Sequence, residues 1–460
     1  AWHMPILNPA SVAEILEFGL YGWALSRFSG SWVGLKAISE TVETGSTVAL
    51  DEIRSNWINV DHYAPPVTGL HNRWPDFPSI EIERRHIDKF AAIRQFSRVN
   101  CIDKWIAASS HASIGIVTCG KAHFDFIEAL RRIDLSVADL ENAGVRIYKV
   151  GLSYPLEPTR IDLLVEGLTE ILVIEEKGPV VENQLKEYLY NRQASSRPQV
   201  LGKTCLHGRP LLSAVDELRS SRILPVLTAW LAQHKPQLDR CDQVAALIAM
   251  PVLSNKGDGV KRVPYFCSGC PHNISTRVPE GSVAYAGIGC HFMASWMDRQ
   301  TSGLIQMGGE GVDWVAQATF TRRPHIFQNL GDGTYFHSGL LAIRQAVSAG
   351  TNITYKILHN DAVAMTGGQP VDGNLPVPRL AHQLRAEGVQ RLAVVSDDIE
   401  KYQHRKMQFP PDTSFHHRDE MDLLQRELRE VPGVSGLIYD QGCAAAKRRL
   451  RKKHKLPLPP

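Results

Sequence analysis

The sequence predicts an α/β protein: a parallel sheet flanked by helices, preceded by a smaller α/β domain. Three observations lead there. Short apolar runs that end in glycine or a polar turn alternate, twice along the chain, with amphipathic segments of helical period. Hydrophobic residues make up 43% and charged residues 22% of the 460 residues, an ordinary globular balance with enough apolar side chain for a large core. No self-similarity recurs at a solenoid period, so the alternation describes domains and not a repeat array.

Taken in order, residues 1–60 hold two amphipathic helical patterns, ASVAEILEFGLYGWALSRF and WVGLKAISETVE. The stretch YAPPVTGLHNRWPDFPS is rich in proline and polar residues and reads as a linker, which sets residues 1–105 apart. SIGIVTCG is a buried-strand run, FDFIEALRRI a helix, VRIYKVG and EILVIEEK strands, and VENQLKEYLYN a helix. These define a small α/β domain over 106–205. Helical patterns cover about 211–250, the polar turn SNKGDGVKRVP follows, and a second α/β region runs from about 263 to 445. The larger domain is therefore expected over 206–446, with 447–460 as a basic tail.

The bulk numbers exclude several classes. A net charge of +3, from 51 basic and 48 acidic residues, argues against a general nucleic-acid binder. The longest apolar runs, such as ILPVLTAWLA, fall short of the roughly 18 residues that span a bilayer, so no membrane partner is expected. No basic segment followed by an apolar run opens the chain, and a cytoplasmic protein is the expectation. Eight cysteines are too few for a disulfide scaffold of this length, so clustered cysteines point to metal or redox chemistry. Cys101, Cys119, Cys205 and Cys241 stand alone and read as inert thiols.

The segment HIFQNLGDGTYFHSGLLAIRQAVSAGTNITYKILHNDAVAMTGGQ carries the clearest chemistry. A strand ends in Gly331-Asp332-Gly333, a helix follows, then a second strand that ends at Asn360. With 26 residues between Gly333 and Asn360, the two strands are expected to be adjacent and parallel. That places Asp332 and Asn360 at the carboxyl edge of the sheet, where open α/β folds bind ligands. Glycines let the backbone approach a diphosphate, and the helix N-terminus favours its charge. An Asp oxygen, an Asn oxygen and one carbonyl would supply half an octahedron for Mg²⁺. A second GDG, Gly257-Asp258-Gly259, lacks the preceding strand and has Ala286 where the asparagine should be; it reads as an ordinary turn.

FCSGCPHN, from Phe266, holds Cys267 and Cys270. A structural zinc site would pair this CxxC with a second pair of ligands, and no second CxxC exists. His272 and His291 match no compact zinc module, and the strand order does not suit a thioredoxin-like pair. Cys290 follows 20 positions after Cys270, in YAGIGCHFM, and Cys443 lies 153 further on, in YDQGCAAAKRR. Four thiolates are the usual holders of an iron–sulfur cluster.

The GDG…N segment resembles the thiamin-diphosphate motif. Together with the four cysteines, it resembles the thiamin domain of 2-oxoacid:ferredoxin oxidoreductases. Within that superfamily FCSGCPHN, AGIGCHFMA, QMGGEGVDW, NLGDGTYFHSGLLAIR, NITYKILHNDAVAMTGGQPVDG and IYDQGCAAAKRR are similar to the indolepyruvate ferredoxin oxidoreductases, specifically the large fused bacterial type. The likeness covers nearly the whole chain and is strongest over about 264–371.

The resemblance implies a thiamin-diphosphate-binding fold beside a smaller domain like the C-terminal domain of transketolase. It implies Mg²⁺ on Asp332, Asn360 and the main-chain oxygen of Ala362, and a [4Fe–4S] cluster on Cys267, Cys270, Cys290 and Cys443. Gly331, Gly333, Thr334, Met365, Thr366, Gly308 and Gly309 become cofactor-binding candidates, and His291, His337 and Glu310 catalytic candidates. The implied reaction is oxidative decarboxylation of an aryl 2-oxoacid, with coenzyme A taking the acyl group and ferredoxin the electrons. Thr366-Gly367-Gly368-Gln369 is expected to close over the cofactor.

The family begins with a pyrimidine-binding domain that supplies an activating glutamate, and residues 1–60 resemble only its tail. The family's later cysteine-rich segment and third domain have no counterpart, so the chain reads as a central piece that needs the remaining domains or a second copy. The basic tail KRRLRKKHK, with seven Lys or Arg among residues 447–455, reads as a solvated helix end or as a surface that steers an acidic ferredoxin. A thiamin enzyme without iron, and a non-catalytic fragment that keeps the fold, are the alternatives.

Overall fold

The computed structural model describes residues 3–60, 63–249, 263–373 and 375–457. The second GDG, at 257–259, and most of the polar turn around it lie outside the described residues. The chain divides into two compact units, Ala1–Asn255 and Lys256–Pro460.

In the first unit β1 (Ile6–Leu7) pairs in parallel with β2 (Gly34–Leu35). The five strands that follow with their own sheet partners are β3 (Lys104–Ala108), β4 (Ile114–Cys119), β5 (Val145–Val150), β7 (Glu170–Ile174) and β8 (Gln199–Leu201), while β6 (Leu152–Tyr154) joins β1 in antiparallel register. Their order is β3-β5-β4-β7-β8, with only the β3–β5 pair antiparallel. Every residue of β4 and β7 is buried, because helices cover both faces of this sheet, as its unbroken apolar runs require.

Three expectations for this unit change. WVGLKAISETVE is expected to be one helix, but it contains β2 and a short helix at Ser39–Val42. Gly34 sits where a Cβ would meet the Ile6 side chain at 2.7 Å, so close strand pairing overrides the helical period. The expected linker YAPPVTGLHNRWPDFPS is packed: Asp76 is buried and ion-paired to Arg85 at 2.7 Å and to Arg73 at 3.0 Å. The helix Ser220–His234, expected in the larger domain over 206–446, belongs to the first unit. Its Ile223, Leu224, Leu227, Trp230 and Leu231 share one core with Ile116, Phe126 and Leu172.

The second unit is a seven-stranded sheet, all parallel, in the order β10-β9-β11-β12-β15-β13-β14. Its strands are β9 (Ala284–Tyr285), β10 (Thr301–Ser302), β11 (Ile326–Gly331), β12 (Ile353–His359), β13 (Arg391–Ser396), β14 (Ser414–His417) and β15 (Val434–Asp440). Helices Leu340–Ser348 and Val377–Ala386 bury their apolar sides against Ile357, Val394 and Ile438. Helix Met421–Leu428 packs on Leu358, Val395 and Leu437 of the opposite face. The α/β class with helix-flanked parallel sheets is thus present in both units. No helix among the described residues is long and apolar enough to cross a membrane.

Lys356, in the middle of β12, is fully buried; its Nζ donates to the Arg277 carbonyl at 2.9 Å. Burial, with the Arg299 charge adding to it, pushes its ammonium down to about 7. The unfolded chain holds that proton up to about pH 10.4. Folding therefore costs most at and below pH 7, and the cost is relieved as pH rises towards 10. Lys356→Met should unfold at higher urea than the parent at pH 7, by about 2–4 kcal/mol, and the difference should shrink steadily by pH 10. A gap independent of pH would show that Lys356 stays charged inside.

Candidate functional site

Parallel strands deliver their last residues to one edge, and in the second unit that edge is polar. β11 and β12 are adjacent as expected, with Gly331 opposite Leu358. β15 lies on the other side of β12 and sets Asp440 opposite His359. A helical turn begins directly at Asp332 and runs into a π-helical turn, Tyr335–Gly339, before the helix Leu340–Ser348. Such turns are frequent at functional sites. This one carries Phe336 and His337, which both line the cavity.

Asp332 is a junction. Its Oδ2 accepts the N–H groups of Asn360 at 2.9 Å and Asp361 at 2.8 Å, and its Oδ1 accepts that of Gly333 at 2.9 Å. Burial pushes its carboxyl up, against the pull of the His359 charge and these N–H groups. Asn360 Oδ1 accepts the N–H of Ala362 at 3.1 Å. His359 Nδ1 meets Asp440 Oδ1 at 2.9 Å, and Lys401 Nζ and the Tyr402 hydroxyl meet the other oxygen. Burial would raise the Asp440 carboxyl, but the His359 hydrogen bond and the His359 and Lys401 charges hold it well below its usual range.

Above this edge lies a cavity of about 570 Å³. Its walls include Cys290, His291, Gly331, Asp332, Gly333, Thr334, His337, Asn360, Ala362 and Met365. His291 is buried, and its Nε2 has no partner among the described residues. Its ring packs on Gly331, where a Cβ would lie 3.2 Å from Cε1, so glycine there makes room for an imidazole. Burial, with His272 adding, lowers this imidazole to about 3 and keeps it neutral. His337 Nδ1 is 2.7 Å from Ser338 Oγ.

Four expected residues are not in the wall. Glu310 is fully buried; its Oε2 accepts the Gly308 N–H at 2.7 Å, which folds the carboxyl back on its own loop. Its Oε1 is unpartnered, and burial raises its pKa. Gly308 and Gly309 sit in the same turn, and only Met307 of that loop reaches the cavity. Thr366 is turned to Gln369, whose Nε2 donates to its Oγ1 at 2.8 Å.

The four cysteines lie within electrostatic reach of one another. Cys267 is exposed and the other three are half-buried. Burial, and then the charges of Cys267, Cys443 and Cys290, push the Cys270 thiol up to about 11. Burial, Cys443 and Cys267 raise Cys290. The CxxC closes as a turn, with the Cys270 N–H donating to the Cys267 carbonyl at 3.0 Å. The Cys443 N–H donates to the Asn360 carbonyl at 3.2 Å, and Cys290 is itself cavity wall. Among the described residues, no three His, Cys, Asp or Glu side chains close around a single metal ion.

The sequence missed the His359–Asp440 pair and Asn329, whose buried amide has no partner at either end among the described residues; of the expected Thr366–Gln369 closure, Gln369 lines the cavity. The first had a signal, since both residues close their strands. Only the β12–β15 register makes them neighbours.

Residues 104–251 match the family described as the indolepyruvate oxidoreductase domain. The indolepyruvate oxidoreductase subunit IorA of Thermococcus kodakarensis is 25% identical over 97% of this chain and 67% of its own length. The protein of the same description from Pyrococcus abyssi is 23% identical over 96% of this chain and 66% of its own. The chain spans about two thirds of the length of these curated relatives. Among solved structures, a 2-oxoglutarate:ferredoxin oxidoreductase from Magnetococcus marinus aligns at 18% identity over 41% of this chain and 71% of its own, with a TM-score of 0.29.

Proposed function

We propose that the chain belongs to the indolepyruvate oxidoreductase family, on the match of residues 104–251 and the likeness to IorA subunits, and that it carries the thiamin and iron–sulfur centre of a 2-oxoacid:ferredoxin oxidoreductase. In this reading an aryl 2-oxoacid is decarboxylated oxidatively, coenzyme A takes the acyl group and ferredoxin takes the electrons. Asp332, Asn360 and the Ala362 carbonyl hold Mg²⁺ and the diphosphate of thiamin diphosphate. Cys267, Cys270, Cys290 and Cys443 hold a [4Fe–4S] cluster. The observation that carries the reading is the shared wall: Cys290 lines the cavity of Asp332 and Asn360, and Cys443 is hydrogen-bonded to Asn360.

When bound, the thiamin supplies an electron sink for loss of CO₂ and the cluster supplies one-electron steps. The protein's part is placement. The helix N-terminus at Asp332 and its N–H groups favour the diphosphate. Neutral His291 is in the cavity wall with its buried Nε2 uncommitted among the described residues, and His337, beside Ser338, offers a second imidazole. Met307, Phe336 and Met365 give the apolar wall that an aromatic 2-oxoacid needs.

Anaerobic purification should give a brown protein with about four iron and four sulfide per chain. Mixed with thiamin diphosphate, Mg²⁺, coenzyme A and indolepyruvate, together with the partner domains or subunit, it should reduce ferredoxin. A colourless protein that binds thiamin diphosphate would favour the iron-free thiamin enzyme, and one that binds neither would overturn the reading.

A further inference from the structure

The helix Ala444–Lys452 has no fully buried residue, and its half-buried alanines alone do not fix where its later turn sits. Polar ties do, and each one ends on a different part of the site. At its start the Cys443 N–H donates to the Asn360 carbonyl at 3.2 Å. Arg448 Nη2 donates to the Ser268 carbonyl at 3.2 Å, between the two cysteines of the CxxC. The Arg449 guanidinium donates to the Gly367 carbonyl. Gly368 has a φ of 76°, and a Cβ there would fall on that guanidinium, so the loop backbone and the arginine are in direct contact.

The loop itself is closed by the Val363 N–H on the Gln369 carbonyl and the Gly368 N–H on the Val363 carbonyl, both at 2.9 Å. It supplies Val363, Met365 and Gln369 to the cavity wall. All its other hydrogen bonds at 363–369, among the described residues, are internal. We propose that Arg449 is a positioning residue, and that this helix is a strap which fixes the Val363–Gln369 loop over the cavity relative to the cysteine cage. Arginine suits the task because its planar fork holds a carbonyl while its face lies on the backbone. The proposal deepens the functional reading and rests on it only for the identity of the ligand under the loop.

The test uses the full chain. Hydrogen exchange of the 361–373 segment is followed without cofactor in the parent, Arg449→Ala and Arg449→Lys. Alanine should speed exchange of that segment by roughly tenfold, with lysine in between and the segment 326–331 unchanged. In parallel, titration with thiamin diphosphate and Mg²⁺ should show about tenfold weaker binding for alanine, partial rescue by lysine, and unaltered iron content. Equal exchange in parent and alanine variant would overturn the strap. Faster exchange in a protein that never binds thiamin diphosphate would uphold the strap and overturn the functional reading instead.

Discussion

Serine at Cys443 is expected to give a colourless protein that still binds thiamin diphosphate. The thiolate is the cage's fourth ligand in the proposed reading, and a hydroxyl is a poor ligand for iron in a sulfur cage. The cost to electron transfer to ferredoxin should be at least about 100-fold, since the proposed reading routes the electrons through this cluster. The tie to Asn360 runs through the main-chain N–H of residue 443, which serine keeps, so cofactor affinity should change by no more than about threefold. Cys267→Ser should behave alike. Cys119→Ser is the control: that thiol is buried in the first unit, accepts from Asn8 Nδ2 at 3.2 Å, and is pushed by burial up to about 12. It should leave iron and visible absorbance untouched. Iron content of the three variants decides the matter, and a brown Cys443→Ser protein with full iron would remove this residue from the cage.

The contrast between the cysteines shows what a sequence can carry. β4 and β7 were legible because each is a largely apolar run bounded by glycine or a polar turn, whereas β11 and β12 carry polar residues such as Asn329 and Lys356 and were legible from the Gly331-Asp332-Gly333 turn and the 26-residue connection to Asn360. Asp332 and Asn360 followed from that local logic. Glu310 did not reach the wall, because a two-residue hydrogen bond to Gly308 turns it inward, and no periodicity reports that. His359 and Asp440 are 81 positions apart, and Arg449 and Gly367 are 82 apart. Contacts of that range depend on strand order and helix placement, which local pattern does not fix. The same limit explains the helix Ser220–His234. Its apolar stripe announced a buried face, but which sheet it would cover depended on the tertiary fold.

Asp332→Ala should weaken binding of thiamin diphosphate with Mg²⁺ by at least about 100-fold, because in the proposed reading this carboxylate is the anionic ligand of the metal. The structure adds a second consequence. Three backbone N–H groups, from Gly333, Asn360 and Asp361, end on this carboxylate. Alanine leaves them without this acceptor, Gly333 just past β11 and the other two just past β12, where Asp361 already has a φ of 55°. A stability loss of about 2–3 kcal/mol is expected on top of the binding defect. Asp332→Asn separates the two effects. Its one carbonyl oxygen keeps part of the N–H network but carries no charge, so it should recover much of the stability and little of the Mg²⁺-dependent affinity. Calorimetric titration at several Mg²⁺ concentrations, beside urea unfolding of the same variants, measures both. Iron content should stay at the parent level, because Asp332 meets the cage only through Asn360. An alanine variant that binds thiamin diphosphate as the parent does would show that the carboxylate serves the fold alone, and the metal assignment would fall with it.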